Sequence, residues 1–158
     1  MSILFGSNPR ATLTRVVVLV TAAVVLFLVL QPVRLQGISM LPTYREGTIN
    51  YANRLAYVFR RPARFDVVAI RMAGPSVLYV KRVVGLPGER VEIVMGTVII
   101  DGAPLVEPTV LYRLPWNMDG ITLDPDEYFV VGDNRSMRME DHDFGRASRN
   151  RIVGKLLF

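Results

Sequence analysis

The 158-residue chain contains no cysteine, which excludes disulfides, thiol nucleophiles and thiolate metal sites and leaves the redox compartment open. It has one histidine, His142, so no metal site can be built from several imidazoles. Charge is sparse: charged residues make up 21% of the chain and hydrophobic ones 51%, which argues against disorder and points to membrane contact. The net charge of +5 is scattered. Its densest basic cluster, Arg60-Arg61-Pro62-Ala63-Arg64, is too short for a nucleic-acid stripe and reads as a solvated or lipid-headgroup-facing loop. No glycine-rich loop opens a helix, so nucleotide chemistry is not suggested, and there are no internal repeats or low-complexity tracts. Lysine is also scarce. Lys81 and Lys155 stand against seventeen arginines, so a lysine inside a strand pattern needs its own account in a chain that uses arginine for plain surface cations.

What the chain does have is one long apolar run. Val16 to Val33 is uncharged, and eighteen residues rising ~1.5 Å each span roughly 27 Å, enough for a bilayer core. The run ends Leu28-Val29-Leu30-Gln31-Pro32-Val33 rather than at a small-residue cleavage site, which suits an uncleaved anchor better than a removed signal. It also shows no polar stripe of the kind a half-buried helix would carry. Arg10 and Arg15 precede it with no acidic residue, so the positive-inside rule places residues 1–15 in the cytoplasm, a bias that Arg34 weakens slightly. The organisation expected is therefore a short cytoplasmic N-terminus, an anchor over 16–33, and one extracytoplasmic domain over 34–158.

Beyond Gln36 the prolines at 42, 62, 75, 87, 104, 108, 115 and 125 would break most long helices, and the domain reads as mainly β. Strands are expected over 65–70, ended by Ala73-Gly74-Pro75, and over 77–84, ended by Gly85-Leu86-Pro87-Gly88. Residues 91–95 and 97–100 form a hairpin across Gly96, closed by Asp101-Gly102. Residues 48–57 read equally as a strand or a short amphipathic turn. Residues 103–127 read as an irregular insertion, and Tyr128 to Val131 as the last core strand.

Two residues carry candidate chemistry. Ser39 follows the apolar run by a few residues and offers a hydroxyl just outside a membrane. Lys81 lies in Val77-Leu78-Tyr79-Val80-Lys81-Arg82-Val83-Val84, where period-two geometry makes both faces apolar and flanks the lysine with Tyr79 and Val83. Burial disfavours the ammonium, and a neutral amine is what a general base acting on a serine requires. Lys81 could also snorkel to solvent or pair with a carboxylate, and Ser39 could bond its own turn. Arg82 reads as an ion-pair partner. A serine–histidine–aspartate triad through His142 is poorly supported, because Leu41 occupies the second glycine position of a nucleophile elbow and Glu140-Asp141-His142-Asp143 reads as a solvated loop.

Taken together, these stretches resemble the type I signal peptidases, membrane-anchored Ser-Lys proteases. Ser39-Met40-Leu41-Pro42-Thr43 looks like that family's nucleophile box and Phe65-Asp66-Val67-Val68 like its second. Tyr79-Val80-Lys81-Arg82-Val83-Val84-Gly85-Leu86-Pro87-Gly88-Glu89 matches its general-base box, and Gly132-Asp133-Asn134-Arg135 opens its last. The resemblance implies conjoined antiparallel β-sheets with an apolar, lipid-contacting surface near the site. It makes Ser39 the nucleophile, Lys81 the base and Met40 a substrate- and membrane-proximal neighbour, with Asp133, Arg135 and Ser136 supporting the site. It implies no cofactor and no metal. The substrates implied are exported preproteins cut after Ala-x-Ala-like signals at the plasma (inner) membrane of a bacterium. The last box departs from the pattern. Arg138 stands where a serine that orients the lysine is expected, leaving three readings: Ser136 substitutes, Lys81 is oriented otherwise, or activity is reduced. An arginine close to Lys81 would lower its pKa further. Glu140 and His142 stand where an Asp–Arg ion pair is expected. Rival readings are a specialised conjugation or secretion-system peptidase with one substrate, a self-cleaving repressor-type Ser-Lys protease, which the membrane span disfavours, and a catalytically silent signal-peptide-binding module.

Overall fold

A computed structural model describes residues 9–73 and 77–157; residues 1–8, 74–76 and 158, and with them the expected strand end at Gly74-Pro75, lie outside the described residues. Among the described residues, one α-helix, α1 (Pro9–Val29), is followed by eleven strands. Helix α1 is long and apolar enough to cross a membrane, and none of it is buried against the rest of the chain. It starts earlier and ends sooner than the apolar run suggests, because Leu30–Arg34 forms strand β1. The difference has a physical cause: Leu30 to Arg34 pair antiparallel with β2 (Ile49–Asn53), and Arg54 N–H donates to the Val29 carbonyl. Pro32, which cannot sit inside a helix without loss, is accommodated on this sheet-edge strand.

The larger sheet holds seven strands in the order β1, β2, β11 (Ile152–Leu156), β3 (Val67–Ala73), β4 (Val77–Gly85), β9 (Glu127–Val131), β10 (Gly145–Ser148), all its pairings being antiparallel. Beside it lies a four-stranded sheet in the order β7 (Ala103–Pro104), β6 (Thr97–Ile100), β5 (Arg90–Val94), β8 (Met118–Thr122). The domain is thus mainly β, with antiparallel sheets.

Alternation along β3 shows why the large sheet is covered on both sides. Val67 and Ala69 join one core cluster with Val33, Met40, Ala52 and Val80, whereas Val68 and Ile70 join another with Val83, Tyr128 and Val130. A third cluster joins the sheets, with Val84, Phe129 and Val131 of the large one against Val91, Ile93, Val98 and Trp116. Each such fully buried valine or isoleucine contributes ~1.5–3 kcal/mol of transfer free energy, and β4, with Val80, Val83 and Val84, has members in all three clusters.

Three readings change. Residues 48–57 are both a strand and a turn, since β2 ends at Asn53 and turns follow. Residues 118–122, read as irregular, form β8 against β5, Ile93 facing Met118. Tyr128 to Val131 is not the last core strand, because β10 covers one side of it and β11 is inserted between β2 and β3. That insertion depends on Gly154, where a Cβ would come within 2.5 Å of the Asn53 carbonyl oxygen.

Candidate active site

Ser39 sits in the loop that leaves β1. The loop is pinned at its base by Leu35 N–H to the Thr48 carbonyl (2.9 Å) and Gly47 N–H to the Leu35 carbonyl (2.8 Å). Gly37 takes a left-handed φ of +80°, which turns the chain sharply just before the serine. Met40 is buried at 4% exposure among Val80 and Ala69, so the residue after the serine plugs the loop into the core while also lining the adjoining cleft.

Lys81 lies on β4 opposite Val68 of β3 and is 4% exposed. Its Nζ is 2.9 Å from Ser39 Oγ. Burial among apolar groups pulls its pKa from 10.5 down to about 8, and the Asp143 carboxylate opposes that pull. A substantial neutral fraction therefore exists just above neutral pH, with the amine already in hydrogen-bond reach of the hydroxyl.

The stretch 132–135 clasps the serine loop from the other side. Asn134 donates through its backbone N–H to the Ser39 carbonyl (2.9 Å) and through Nδ2 to the Ile38 carbonyl (3.1 Å). Gly132 passes so close that a Cβ there would lie 2.2 Å from the Ser39 carbonyl oxygen and 2.7 Å from His142 Nε2. Asp133, fully buried, accepts both arms of Arg82 at 2.7 and 2.6 Å, and the Thr43 hydroxyl donates to it as well. Arg82 neighbours the lysine and Thr43 lies four residues past the serine, so one carboxylate ties the two candidate residues' supports together. Arg135, also fully buried, donates Nε to the Gly132 carbonyl (2.9 Å) and pairs with Glu107.

The remaining residues of this region fall differently from expectation. Ser136 is exposed and hydrogen-bonds Asn134 Oδ1, away from Lys81. Arg138 turns to solvent and pairs with Glu140 and Asp141, so it does not crowd the lysine. His142 is not in a solvated loop: it is 4% exposed, with its ring edge-on to Trp116 at 5.0 Å, and burial with the nearby Lys81 and Arg135 charges pushes its pKa down to about 4. Sequence reasoning missed Glu107, a lone carboxylate within a proline-rich segment, and Asp143, hidden in a run of four charged or polar residues. Only the chain path of the loop separates Asp143 from its outward-facing neighbours.

A cleft of about 410 Å³ adjoins Ser39 and Lys81. One wall is the end of β1 and the chain beyond it, Gln31 to Gly37; the other is Leu78 to Lys81 of β4. Strands β1 and β4 are separated by three others in the sheet, so the sheet curls to bring them onto one cleft.

The sequence profile of the family described as signal peptidase, peptidase S26, matches residues 10–158. The chain belongs to this family. Among its relatives, a probable signal peptidase I-1 of Synechocystis sp. is 32% identical over 152 residues, covering 90% of this chain and 76% of that one. Signal peptidase I of Bacillus caldolyticus is 34% identical over 140 residues, covering 78% and 75%. A crystal structure of a signal peptidase I from Enterococcus faecalis matches with a TM-score of 0.48 and 28% identity, covering 62% of this chain and 98% of that one. The peptidase class expected from the sequence, a serine endopeptidase of the signal peptidase type, thus stands on the match to nearly the whole chain.

Proposed function

We propose that this chain is a signal peptidase I that cuts exported preproteins by a Ser39–Lys81 dyad. The observation that carries this reading is the 2.9 Å contact between Lys81 Nζ and Ser39 Oγ with the lysine buried. Neutral Lys81 takes the Ser39 proton as Oγ adds to the scissile carbonyl carbon. The Ser39 backbone N–H stabilises the resulting oxyanion. The Lys81 ammonium then protonates the leaving amine, the C–N bond breaks, and an acyl ester remains on Ser39. Lys81, neutral again, deprotonates water; hydroxide adds to the ester and Ser39 leaves with the proton returned to it. Asp133, Arg135 and Ser136 act only in support, Ser136 through Asn134.

The cleft between Gln31–Gly37 and Leu78–Lys81 suits an extended peptide, which can use strand-edge backbone groups on both walls. The substrate pattern we assign is Ala-x-Ala, the small residues seating beside Ser39. Helix α1 is the anchor of a single-pass protein in a bacterial plasma membrane, with the N-terminus cytoplasmic and the domain outside, an orientation supported by Arg10 and Arg15 ahead of the apolar run. The site then lies at the lipid surface. Arg54 N–H bonds the Val29 carbonyl at the end of α1, and the exposed Leu55, Val58 and Phe59, the last 99% exposed, follow it together with Arg60 and Arg61, a composition suited to a bilayer interface.

The test is cleavage of a panel of preproteins by the full chain in detergent, beside Ser39→Ala and Lys81→Ala. Both variants should lose activity, and kcat/KM of the parent should rise with pH around about 8 as Lys81 loses its proton. Equal cutting by parent and variants would sink the dyad. Cleavage of one panel member alone would replace the general enzyme by a dedicated one, and no cleavage at all would favour a binding module.

A further inference from the structure

We propose that Asp143 is the positioning residue for Lys81, holding the lysine head against Ser39 and stabilising the ammonium that forms in the transition state. The proposal rests on the Ser39–Lys81 reading and deepens it.

Strand topology brings the two together. β4 pairs with β9, Arg82 opposite Val131, and β9 pairs with β10, Val130 opposite Gly145. Asp143 lies two residues ahead of Gly145 and Lys81 one residue ahead of Arg82, so the registers bring both level with Gly132, the residue that follows β9. They line one small pocket, walled by Ile70, Tyr79, Val130 and Phe144. Its volume is about 10 Å³, the size of a single water. The two heads make no direct ion pair among the described residues, and the carboxylate acts on the ammonium across this shared pocket.

The other charges around the lysine are committed elsewhere. Asp133 is held by Arg82, Glu107 by Arg135, and Glu140 and Asp141 by Arg138. Arg146, which lines the same pocket, pairs with Glu127. From β3 the lysine faces Val68, from the serine loop a neutral hydroxyl, and from the loop before β10 the neutral His142 ring beside Asp143. Asp143 is therefore the carboxylate whose field reaches Lys81, and it supplies what Ser136 and Arg138, both turned away, do not. Its action parallels that of the aspartate behind a catalytic histidine, which orients the base and stabilises its protonated form without taking the proton itself.

Because the chain has only two lysines, labelling lysine with ¹³C at Cε gives two signals, and Lys81→Met assigns them. In the detergent-solubilised full chain, Asp143→Asn and Asp143→Ser should each move the Lys81 titration midpoint down by about half a pH unit or more, the effect of removing a unit charge several ångström away in a partly solvated setting. The plateau kcat should fall about tenfold, and Asp143→Glu should recover part of both. Asp143 is exposed, so these changes leave the fold intact. Midpoints in both neutral variants that coincide with the parent's would overturn the proposal. Failure of the dyad itself would look different: the parent's Lys81 would then titrate at the ordinary lysine value.

Discussion

Replacing the base should make the protein more stable. In the native chain Lys81 has its pKa lowered to about 8, against 10.5 in the unfolded chain, chiefly through burial. Between those two values the unfolded state binds more protons than the native state, so stability rises with pH across that window; below pH 8 both states are charged and the burial cost is at its full, constant size. A difference of about 2.5 pKa units corresponds to about 3 kcal/mol near pH 7, shrinking to about 1 kcal/mol at pH 9.5. Lys81→Met keeps the four-atom stem and removes the charge, so it should abolish cleavage while stabilising the fold by an amount of that order at pH 7. The loss of the Ser39 hydrogen bond, worth ~1 kcal/mol, and of the attraction to Asp143 reduces the gain. The assay is urea unfolding of parent and variant in matched detergent at pH 7 and pH 9.5. A gain that shrinks as pH rises supports the reasoning. A destabilised variant, or a difference that ignores pH, would refute it, because the lysine would then not be a charge held against its solvation.

Two further changes probe the scaffold behind the dyad. Asp133→Asn breaks the buried two-armed contact with Arg82 and the bond from Thr43, and should cost about 3–5 kcal/mol in chemical denaturation while lowering kcat. Unchanged stability would show that Arg82 finds another partner. Gly132→Ala places a methyl 2.2 Å from the Ser39 carbonyl oxygen, so the serine loop must shift; with reacting atoms displaced by about 1 Å, kcat/KM should fall about 100-fold with KM little changed, and full activity would mean that the clasp is looser than its geometry implies.

Much of this was legible because short-range patterns and the physics agreed. The strand around Lys81 alternates apolar residues on both faces and is bounded by Gly85 to Gly88, and it forms the covered strand expected of it. Arg82, read as an ion-pair partner, found Asp133. Where the reading missed, long-range pairing decided the outcome. Leu30 to Val33 continues the uncharged run and suggests more helix, but its backbone bonds to β2, with Gln31 facing Ala52 some 21 residues downstream, are not visible in local composition. Ile152 to Leu156 enters the middle of the sheet only because Gly154 lets two backbones approach. The charged neighbours of His142 suggest a solvated loop, whereas Trp116 and Phe144 cover the ring. The shell around Lys81 was the least legible part, since Ser136, Arg138 and Asp143 are near neighbours in sequence and only the loop's path separates the one that faces the lysine from those that do not.

The central claim is that Lys81 is a buried amine that is neutral just above physiological pH and bonded to Ser39. Its Cε resonance, followed from pH 5 to pH 12 in the lysine-labelled full chain, measures this directly. The account predicts a midpoint of about 8 for the signal that disappears in Lys81→Met. A midpoint at the ordinary lysine value of 10.5 would contradict it, because the amine would then be charged and unable to take the proton of Ser39.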